Sequence, residues 1–454
     1  METLIDYLLK INPKKDKYIL NMDAMASPYF GVLQELSEAG CVNLYGFGKD
    51  QNIYNQKYYT RIKYEINDKE NCHFPDNFFD IVIDPTPTHF STEEAKRILV
   101  NGGIYLSKRP FTSPLSNSYN ILKIEKKPEG KLPSRLNIIL ETKDIPEGIR
   151  YTTDIMKGRL EQAGIGVNVY KTLNEAPQGI PTIIEWMPYM TLQNNRNFII
   201  EAHDLPTLNN IGFSFTRIFS DIRYWIYSPI YFVKFLIFAK QNYYNKRLMA
   251  NHPLMIRSYE LATKAGIAKY YIMPHCLSIS NQDIPAISRT KSRNIILGAY
   301  GFAAWYKNFD ETCKIAKRLN VRLILLLSVN YNNKLAVKET LGNAQKLKNK
   351  YESQKIQIKI GEWTNDQIRE ELRDCSHIIS TQISVDNISS SMRFAHSLGK
   401  PIISLDNYQA REAQVIRVIN SEEITKEFLE RTRGEQIYMD DGTRYLLKIL
   451  QSLG

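Results

Sequence analysis

Residues 377–404 read HIISTQISVDNISSSMRFAHSLGKPIIS, and this stretch indicates the fold class most clearly. Apolar runs at 377–380 and 401–404 are typical of β-strands. Between them, the serines at 389–391 can cap a helix, because their hydroxyls accept hydrogen bonds from the first free backbone N–H groups. Strands that alternate with helices indicate a parallel sheet. The stretch therefore predicts a strand, a helix and a second, parallel strand.

The same alternation extends outward from this stretch along the chain. The strand candidates are 18–20, 42–45, 79–83, 104–106, 136–140, 167–170, 182–185, 197–200, 295–299, 322–328, 356–360, 377–380 and 401–404. A stretch rich in proline, glycine and lysine at 127–134 is typical of a linker. We predict an α/β protein of three Rossmann-like modules, with domains at residues 1–128, 135–290 and 291–454.

The length and composition fit a globular protein of several domains. At roughly 100 to 200 residues per domain, the 454 residues suggest about two to four domains. The hydrophobic fraction is 43% and the charged fraction is 24%. These ordinary values exclude a disordered or fibrous chain.

Cysteine and histidine usage argues against metal and disulfide chemistry. The five cysteines are scattered without a CxxC pair, and the seven histidines form no HExxH or HxH motif. We therefore expect no metal site, no disulfide framework and a reducing compartment. Glu2 and Asp6 interrupt the first residues with charge, so no secretory signal peptide is expected. No uncharged apolar run approaches the ~18 residues of a spanning helix, which predicts a cytoplasmic protein.

The charge balance points to anionic partners. Fifty-nine Lys and Arg stand against 48 Asp and Glu, which gives a formal net charge of +11. A basic chain favours phosphates, nucleic acid or lipid headgroups. Charge alone leaves these three classes open.

The first block contains two motifs, FPDNFFDIVID at 74–84 and RILVNGGIYL at 97–106. They resemble the second half of a class I S-adenosylmethionine methyltransferase. The loop after the first strand, NMDAMAS at 21–27, lacks the glycines that let a backbone approach a ligand, and the second strand ends in LYGFG at 44–48, without an acidic residue. We therefore expect a degenerate methyltransferase-like module for packing or partner binding, without S-adenosylmethionine.

The third block contains a longer series of motifs: GAYG at 298–301, KNFD at 307–310, GEWT at 361–364, and the opening stretch. Their order and spacing resemble the donor half of the retaining, two-Rossmann (GT-B) nucleotide-sugar glycosyltransferases, group 1 or family 4-like. With the second block included, the resemblance covers about two thirds of the chain. It implies a donor cleft between the second and third blocks, retention of configuration, no obligatory metal and no cofactor besides the nucleotide-sugar substrate.

The resemblance assigns donor-binding roles in the third block. Lys307 takes the place of the family's phosphate-binding lysine, after the turn that contains Gly301. A nucleoside diphosphate leaving group needs such cationic stabilisation, and a cation is unfavourable at a helix start unless an anion joins it. The alternative is a solvated lysine. Three further groups of donor-binding candidates follow. Glu362 and Trp363 would lie near the base. Ser389, Ser390 and Ser391 would either present N–H groups to the phosphates or simply cap the helix, and Arg393 is either a phosphate ligand or a surface residue.

Family members normally carry two glutamates, eight positions apart, around this last turn. Here Asp386 and Phe394 occupy the two positions. Asp386 keeps a carboxylate and is the candidate catalytic contact to the sugar. Phe394 cannot accept a hydrogen bond from a ribose hydroxyl, so the usual ribose contact is absent.

The second block would supply the acceptor side. The turn EAHDLP at 201–206 follows an apolar strand and resembles the family's HD turn, which makes His203 a candidate catalytic residue; a structural histidine is the alternative. Gly148 follows the first strand of the block, where the family keeps a glycine-containing loop near the donor. The alternative is a plain turn that leads into a helix predicted over 152–163.

One aromatic segment stands apart from these motifs. Residues 224–239, from Tyr224 to Ala239, read YWIYSPIYFVKFLIFA and are flanked by basic residues. The segment is either a buried helix of the acceptor domain or an interfacial segment that meets anionic lipid headgroups. Pro229 and Lys234 argue against a spanning helix. Peripheral docking on the inner face of a membrane is therefore one expectation.

Together these patterns predict a hexosyltransferase-type glycosyltransferase of the EC 2.4 class. It would transfer a sugar from a nucleotide-sugar to a glycan or lipid-linked acceptor, in glycan biosynthesis, with no nucleic-acid partner. Two alternatives remain. Because Phe394 replaces a ribose ligand, the chain could be a non-catalytic nucleotide- or glycan-binding protein. It could also combine methyltransferase and glycosyltransferase activities.

Overall fold

The chain folds around three six-stranded sheets. The computed structural model describes residues 4–22, 30–48, 62–66, 72–85, 92–108, 119–125, 130–140, 147–186, 198–202, 252, 254–256, 270–273, 276, 294–329, 334–383, 390–407, 410, 415–433 and 442–452. All structural statements below concern these residues.

The first sheet is built from the N-terminal block. Its strands are β1 (Ile19–Asn21), β2 (Leu44–Gly48), β3 (Ile62–Ile66), β4 (Phe79–Asp84), β5 (Leu99–Lys108) and β6 (Tyr119–Lys123), and its helices are α1 (Leu4–Ile11), α2 (Phe30–Glu38) and α3 (Thr92–Ile98). The strand order is β3-β2-β1-β4-β5-β6, and only β5 and β6 pair antiparallel. One face packs against α1 and α2, whose apolar stripes contribute Leu8, Leu33 and Leu36 to the core.

The second sheet is parallel throughout. Its strands are β7 (Arg135–Ile139), β8 (Gly166–Tyr170), β9 (Thr182–Trp186), β10 (Phe198–Ala202), β11 (Leu254–Ile256) and β12 (Tyr271–Ile272). They lie in the order β12-β11-β10-β9-β7-β8. The crossover from β7 to β8 is the helix α4 (Glu147–Gln162), which packs Met156 and Leu160 into the core.

The third sheet is also parallel throughout. Its strands are β13 (Ile296–Phe302), β14 (Arg322–Ser328), β15 (Ile356–Gly361), β16 (His377–Ser380), β17 (Ile402–Leu405) and β18 (Ile416–Val418). The helices are α5 (Phe309–Leu319), α6 (Lys334–Tyr351), α7 (Asn365–Glu371), α8 (Ser390–His396), α9 (Lys426–Thr432) and α10 (Thr443–Ser452). The strand order β15-β14-β13-β16-β17-β18 reverses between β13 and β16. The predicted α/β class with three Rossmann-like modules is therefore confirmed.

The last helix, α10, packs away from the third sheet. Tyr445 is fully buried, with its ring 4.6 Å from that of Phe78, and its hydroxyl donates to the backbone oxygen of His73. Arg444 lies 3.2 Å from Asp80, and its guanidinium stacks 4.0 Å from the ring centre of Tyr18. The helix shares one continuous core with the first and second sheets. The predicted domain at 291–454 groups this helix with the third module, whereas its side chains contact the other two.

Close packing explains one glycine in the third sheet. A Cβ atom on Gly298 would lie 2.9 Å from the Sγ of Cys375 and 3.0 Å from the Cδ1 of Ile378. Gly298→Ala should therefore lower the free energy of unfolding by about 1–3 kcal/mol, as overpacking does in other cores. Gly342→Ala in α6 is the matched control, because nothing lies within 4 Å of the added methyl group. Alanine favours a helix there by about 1 kcal/mol, so opposite signs are expected in urea titrations. Equal effects would contradict the packing explanation.

Candidate functional site

A small cavity lies at the point where the strand order of the third sheet reverses. Ligands of open α/β sheets bind outside the carboxyl ends of the strands at such a point. The cavity is lined by Tyr300, Lys307, Phe309, Ile378, Ile379, Ser380, Thr381, Met392, Ala395 and Ile402. These residues come from β13, β16 and β17, from the segments that follow β13 and β16, and from α8. The cavity is apolar apart from one cation and a few hydroxyls, which is typical of a ligand site.

The first strand of this site runs further than the sequence indicated. The motif at 298–301 was expected to end the strand, but β13 continues to Phe302, and Gly298 lies in its middle. Gly298 is a glycine because of the neighbouring Cys375 and Ile378, not because of a turn. Gly301, one residue before the end, has φ of 141°, a conformation that favours glycine. A Cβ there would lie 3.8 Å from the Cε of Lys307, so Gly301 is in place beside the predicted lysine.

Lys307 is buried in the cavity wall. It ends a 3-10 turn (Trp305–Lys307) just before α5, and only 7% of the residue is exposed. Its ammonium donates a 2.7 Å hydrogen bond to the Oε1 of Gln382 and lies 5.6 Å from the ring centre of Tyr306. Burial lowers the pKa of Lys307 to about 8, because the charged form is poorly solvated there. A solvated lysine, the alternative considered from the sequence, is wrong.

The segment after β16 holds this turn in place. The Oγ1 of Thr381 donates a 2.7 Å hydrogen bond to the backbone oxygen of Asn308 and lies 2.8 Å from the Oγ1 of Thr312. The backbone N–H of Ile383 donates to the carbonyl of Tyr306, at 2.8 Å. Asn308 has φ of 52°, a left-handed conformation that asparagine tolerates better than most residues. The cation is therefore fixed before any ligand arrives.

This geometry predicts a pH dependence for anion binding at Lys307. Below about pH 8 the ammonium is already charged; above it, binding of an anion must also take up a proton. Affinity for an anion at Lys307, such as the nucleoside diphosphate that the sequence predicts, should therefore change little near pH 7.5 and fall by up to about tenfold per pH unit above 8, well clear of the phosphate's own pKa of about 6. Calorimetry at pH 7.5, 8.5 and 9.5, in buffers of different ionisation enthalpy, measures both the affinity and the proton uptake. A constant affinity without proton uptake would contradict the assignment.

The two candidates for base recognition lie at the neighbouring edge of the sheet. Glu362 is exposed, immediately after β15. Trp363 is half-buried, and its Nε1–H donates a 3.3 Å hydrogen bond to the backbone oxygen of Leu327 in β14. Strand β14 separates both residues from β13 and Lys307. Their role in binding a base stays a prediction.

Phe394 has a packing role that the sequence did not indicate. It is 5% exposed, and its ring makes edge contacts with Tyr300, at 5.7 Å between ring centres, and with Tyr151 of α4, at 6.1 Å. The guanidinium of Arg369 lies 5.2 Å from the same ring centre. The second and third modules therefore meet at an aromatic contact beside the cavity.

Gly148 is not in a loop. The helix α4 begins at Glu147, five residues before the predicted start, so Gly148 lies in its first turn. A glycine costs a helix only about 1 kcal/mol, which the rest of a 16-residue helix can offset. Gly148 therefore lies in a helix and not in the loop that the resemblance implied, and its donor-binding role stays a prediction.

Several predicted residues cannot be placed in the site. His203, Asp386 and Ser389 lie outside the described residues, as does the segment 224–239. Ser390 and Ser391 are the first residues of α8, and Arg393 lies in the same helix, but only their backbone is described. Their proposed roles remain predictions. Conversely, sequence reasoning missed Gln382 and Tyr300, whose only signal was their position at the ends of two apolar strands.

The described residues contain neither a metal-binding cluster nor a membrane-spanning helix. Within the part of the chain that the structure covers, no group of three or more His, Cys, Asp or Glu side chains is arranged to hold a metal ion. No helix among the described residues is both long enough and apolar enough to cross a membrane.

Comparisons with known proteins find similarity at the level of structure alone. No protein-family model matches the chain, and no curated protein matches it. Among solved structures, the glycosyltransferase AviGT4 of avilamycin A biosynthesis is 10% identical over 71% of this chain and 96% of its own, with a TM-score of 0.44. Anabaena HepE in complex with UDP and glucose is 12% identical over 70% and 94%, with a TM-score of 0.40. A UDP-forming trehalose-phosphate synthase of Burkholderia xenovorans is 11% identical over 96% and 94%, with a TM-score of 0.38. The fold assignment rests on the chain's own three sheets.

Proposed function

We propose that the chain is a glycosyltransferase whose nucleotide-sugar donor binds at the cavity beside Lys307, with its diphosphate against the ammonium. The observation that carries this proposal is a lysine buried and fixed at the reversal point of a parallel sheet. A diphosphate there would favour the charged form that burial disfavours, and the ammonium would stabilise the leaving group as the sugar is transferred. The motif order at 298–404, which resembles GT-B donor domains, supports the same assignment.

The arrangement of the modules supports a two-domain donor cleft. The second and third sheets are both parallel, and Tyr151 of α4 meets Phe394 of α8 beside the cavity. We propose a hexosyl transfer with retention of configuration, to a glycan or lipid-linked acceptor on the side of the second module. No metal or further cofactor has a role in this scheme.

A second candidate function is favoured by Phe394. Its buried ring fills the position where the resembled family carries a ribose-binding glutamate. A chain that binds a nucleotide or glycan without catalysis would tolerate this change. Turnover distinguishes the two functions, because a binding protein releases no nucleoside diphosphate.

The test is an assay of nucleotide-sugar turnover by the full chain. UDP-glucose, GDP-mannose, ADP-glucose and other donors would be incubated with the protein, and the released nucleoside diphosphate measured. Turnover of one donor, abolished or strongly reduced in Lys307→Met, is the expected result. Tight binding of a donor without release of nucleoside diphosphate, whichever acceptor is added, would favour the second candidate. The absence of both binding and release would contradict both candidate functions.

We also propose a peripheral location at the inner face of a membrane. The motivation is the aromatic and basic composition of residues 224–239. Cosedimentation with anionic liposomes at low salt should then be lost when Trp225 and Phe232 are changed to Ser, without a fall in Tm. Wild-type protein that stays in the supernatant would contradict this proposal.

A further inference from the structure

Two tyrosine side chains from different modules meet beside the cavity. Tyr300 ends β13 and lines the cavity together with Lys307. Tyr151 belongs to α4, and both rings contact the ring of Phe394 between them. Burial raises the pKa of Tyr300 well above its usual value, and the nearby Tyr151 raises it further. The two tyrosine rings therefore meet at Phe394, where the second and third modules are in contact.

The hydroxyl of Tyr151 is buried and makes no hydrogen bond within the part of the chain that the structure describes. Buried hydroxyls almost always have a hydrogen-bond partner, because an unsatisfied one loses its water without compensation. An apolar ring would fill the space against Phe394 without this penalty. The phenol is therefore better explained by a partner that is present only when the site is occupied.

The chemistry of that partner follows from its neighbours. Lys307 provides the positive charge of the cavity, so an anionic part of the ligand belongs there. Tyr151 is a neutral donor from the opposite module, next to the aromatic face of Phe394. A neutral donor beside an apolar face suits an uncharged hydroxyl on a ring, whereas a phosphate would favour the cation. Both parts are present in a nucleotide-sugar.

We infer that Tyr151 is a ligand-contacting residue: its phenol forms a hydrogen bond with a sugar-ring hydroxyl of the molecule whose phosphates bind Lys307. This inference rests on the proposed function. The hydroxyl belongs either to the ribose or to the transferred sugar, which share the same chemistry. Because Tyr151 comes from the second module and Lys307 from the third, such a ligand would bridge the two modules.

The test compares Tyr151→Phe with the unmodified chain by calorimetry, with UDP, GDP, ADP and CDP and with the matching nucleotide-glucose as probes. Loss of one neutral hydrogen bond should weaken binding about 2- to 12-fold. Weaker binding of the nucleoside diphosphate assigns the contact to the ribose; weaker binding of the nucleotide-sugar alone assigns it to the transferred sugar. Tyr170→Phe, at the half-exposed end of β8, is the matched control and should bind as the wild type does.

Thermal unfolding separates ligand contact from a structural role. Tyr151→Phe keeps the ring that packs on Phe394, so its Tm should equal or exceed that of the wild type. A lowered Tm with unchanged affinity would mean that the hydroxyl supports the fold, which overturns the inference. Unchanged affinity for every probe that the wild type binds overturns it as well, while the proposed function survives. No binding to the wild type would contradict both.

Discussion

Lys307→Met is expected to weaken binding of a nucleoside diphosphate by about 1–3 kcal/mol, the usual contribution of a charge-assisted hydrogen bond. The substitution keeps the length of the side chain and removes its charge. The neighbouring residues that fix the turn, Thr381 and Asn308, are left in place. Calorimetric titration measures the effect directly.

The same variant should be about as stable as the wild type. The pKa of Lys307 is about 8 in the folded chain, below the ordinary value of 10.5. The folded state therefore disfavours the protonated lysine, and the resulting cost is fully present below pH 8 and disappears as the pH rises from about 8 to about 10.5. At pH 7 the substitution relieves this cost but also removes the hydrogen bond to the Oε1 of Gln382, and because the two effects oppose each other the Tm should change little.

The matched control is Lys314→Met on the exposed face of α5, where the lysine pairs with Asp310 at 2.9 Å. It changes the net charge equally and should leave nucleotide affinity unaffected. A Lys307 variant that binds as tightly as Lys314→Met would contradict the assignment of Lys307 to the phosphates. If the Lys307 variant unfolds, the buried lysine is instead required for the stability of the fold.

Tyr445→Ala should lower the free energy of unfolding by about 3–5 kcal/mol, as removal of a fully buried aromatic ring does. The ring is 0% exposed and packs against Phe74 and Phe78 of the first module. The Nζ of Lys63 also lies 5.3 Å from its centre. The substitution therefore removes contacts that join the chain's last helix to the first module.

Urea titration, monitored by tryptophan fluorescence and circular dichroism, measures this change in the free energy of unfolding. The change is read from the unfolding transition that occurs at the lowest urea concentration. Tyr170→Ala removes an aromatic ring from a half-exposed position and should cost less than about 1 kcal/mol. If both substitutions lower the free energy of unfolding by equally small amounts, α10 does not stabilise the first module in the way that its burial indicates.

The sequence predicted the regular parts of the sheets best. Strands β14 and β16 have the predicted bounds, because their continuous apolar runs are typical of strands buried on both faces. The strands that were missed are β3, β6, β11, β12 and β18. In β6, Ile121 is 57% exposed at the edge of the sheet, and β12 has only two residues. Such strands are defined by their neighbours more than by their own residues.

The candidate site was predictable where a local pattern existed. Lys307 was a candidate because its position after a strand and before a helix matches the phosphate-binding lysine of the resembled family, and its phosphate role stays a prediction. Gln382 was not a candidate, because no local pattern marks a glutamine that receives a hydrogen bond from a residue 75 positions away. The contact between Tyr151 and Phe394 depends on how two modules meet, which no periodicity within either module encodes.

The third module is proposed to bind a nucleoside diphosphate at Lys307. The most direct measurement is calorimetric titration of the full chain with UDP, GDP, ADP, CDP and S-adenosylmethionine. We predict that one nucleoside diphosphate binds at one site per chain, and that S-adenosylmethionine does not bind, because residues 21–27 contain no glycine. Binding of S-adenosylmethionine with no binding of any nucleoside diphosphate would contradict the account.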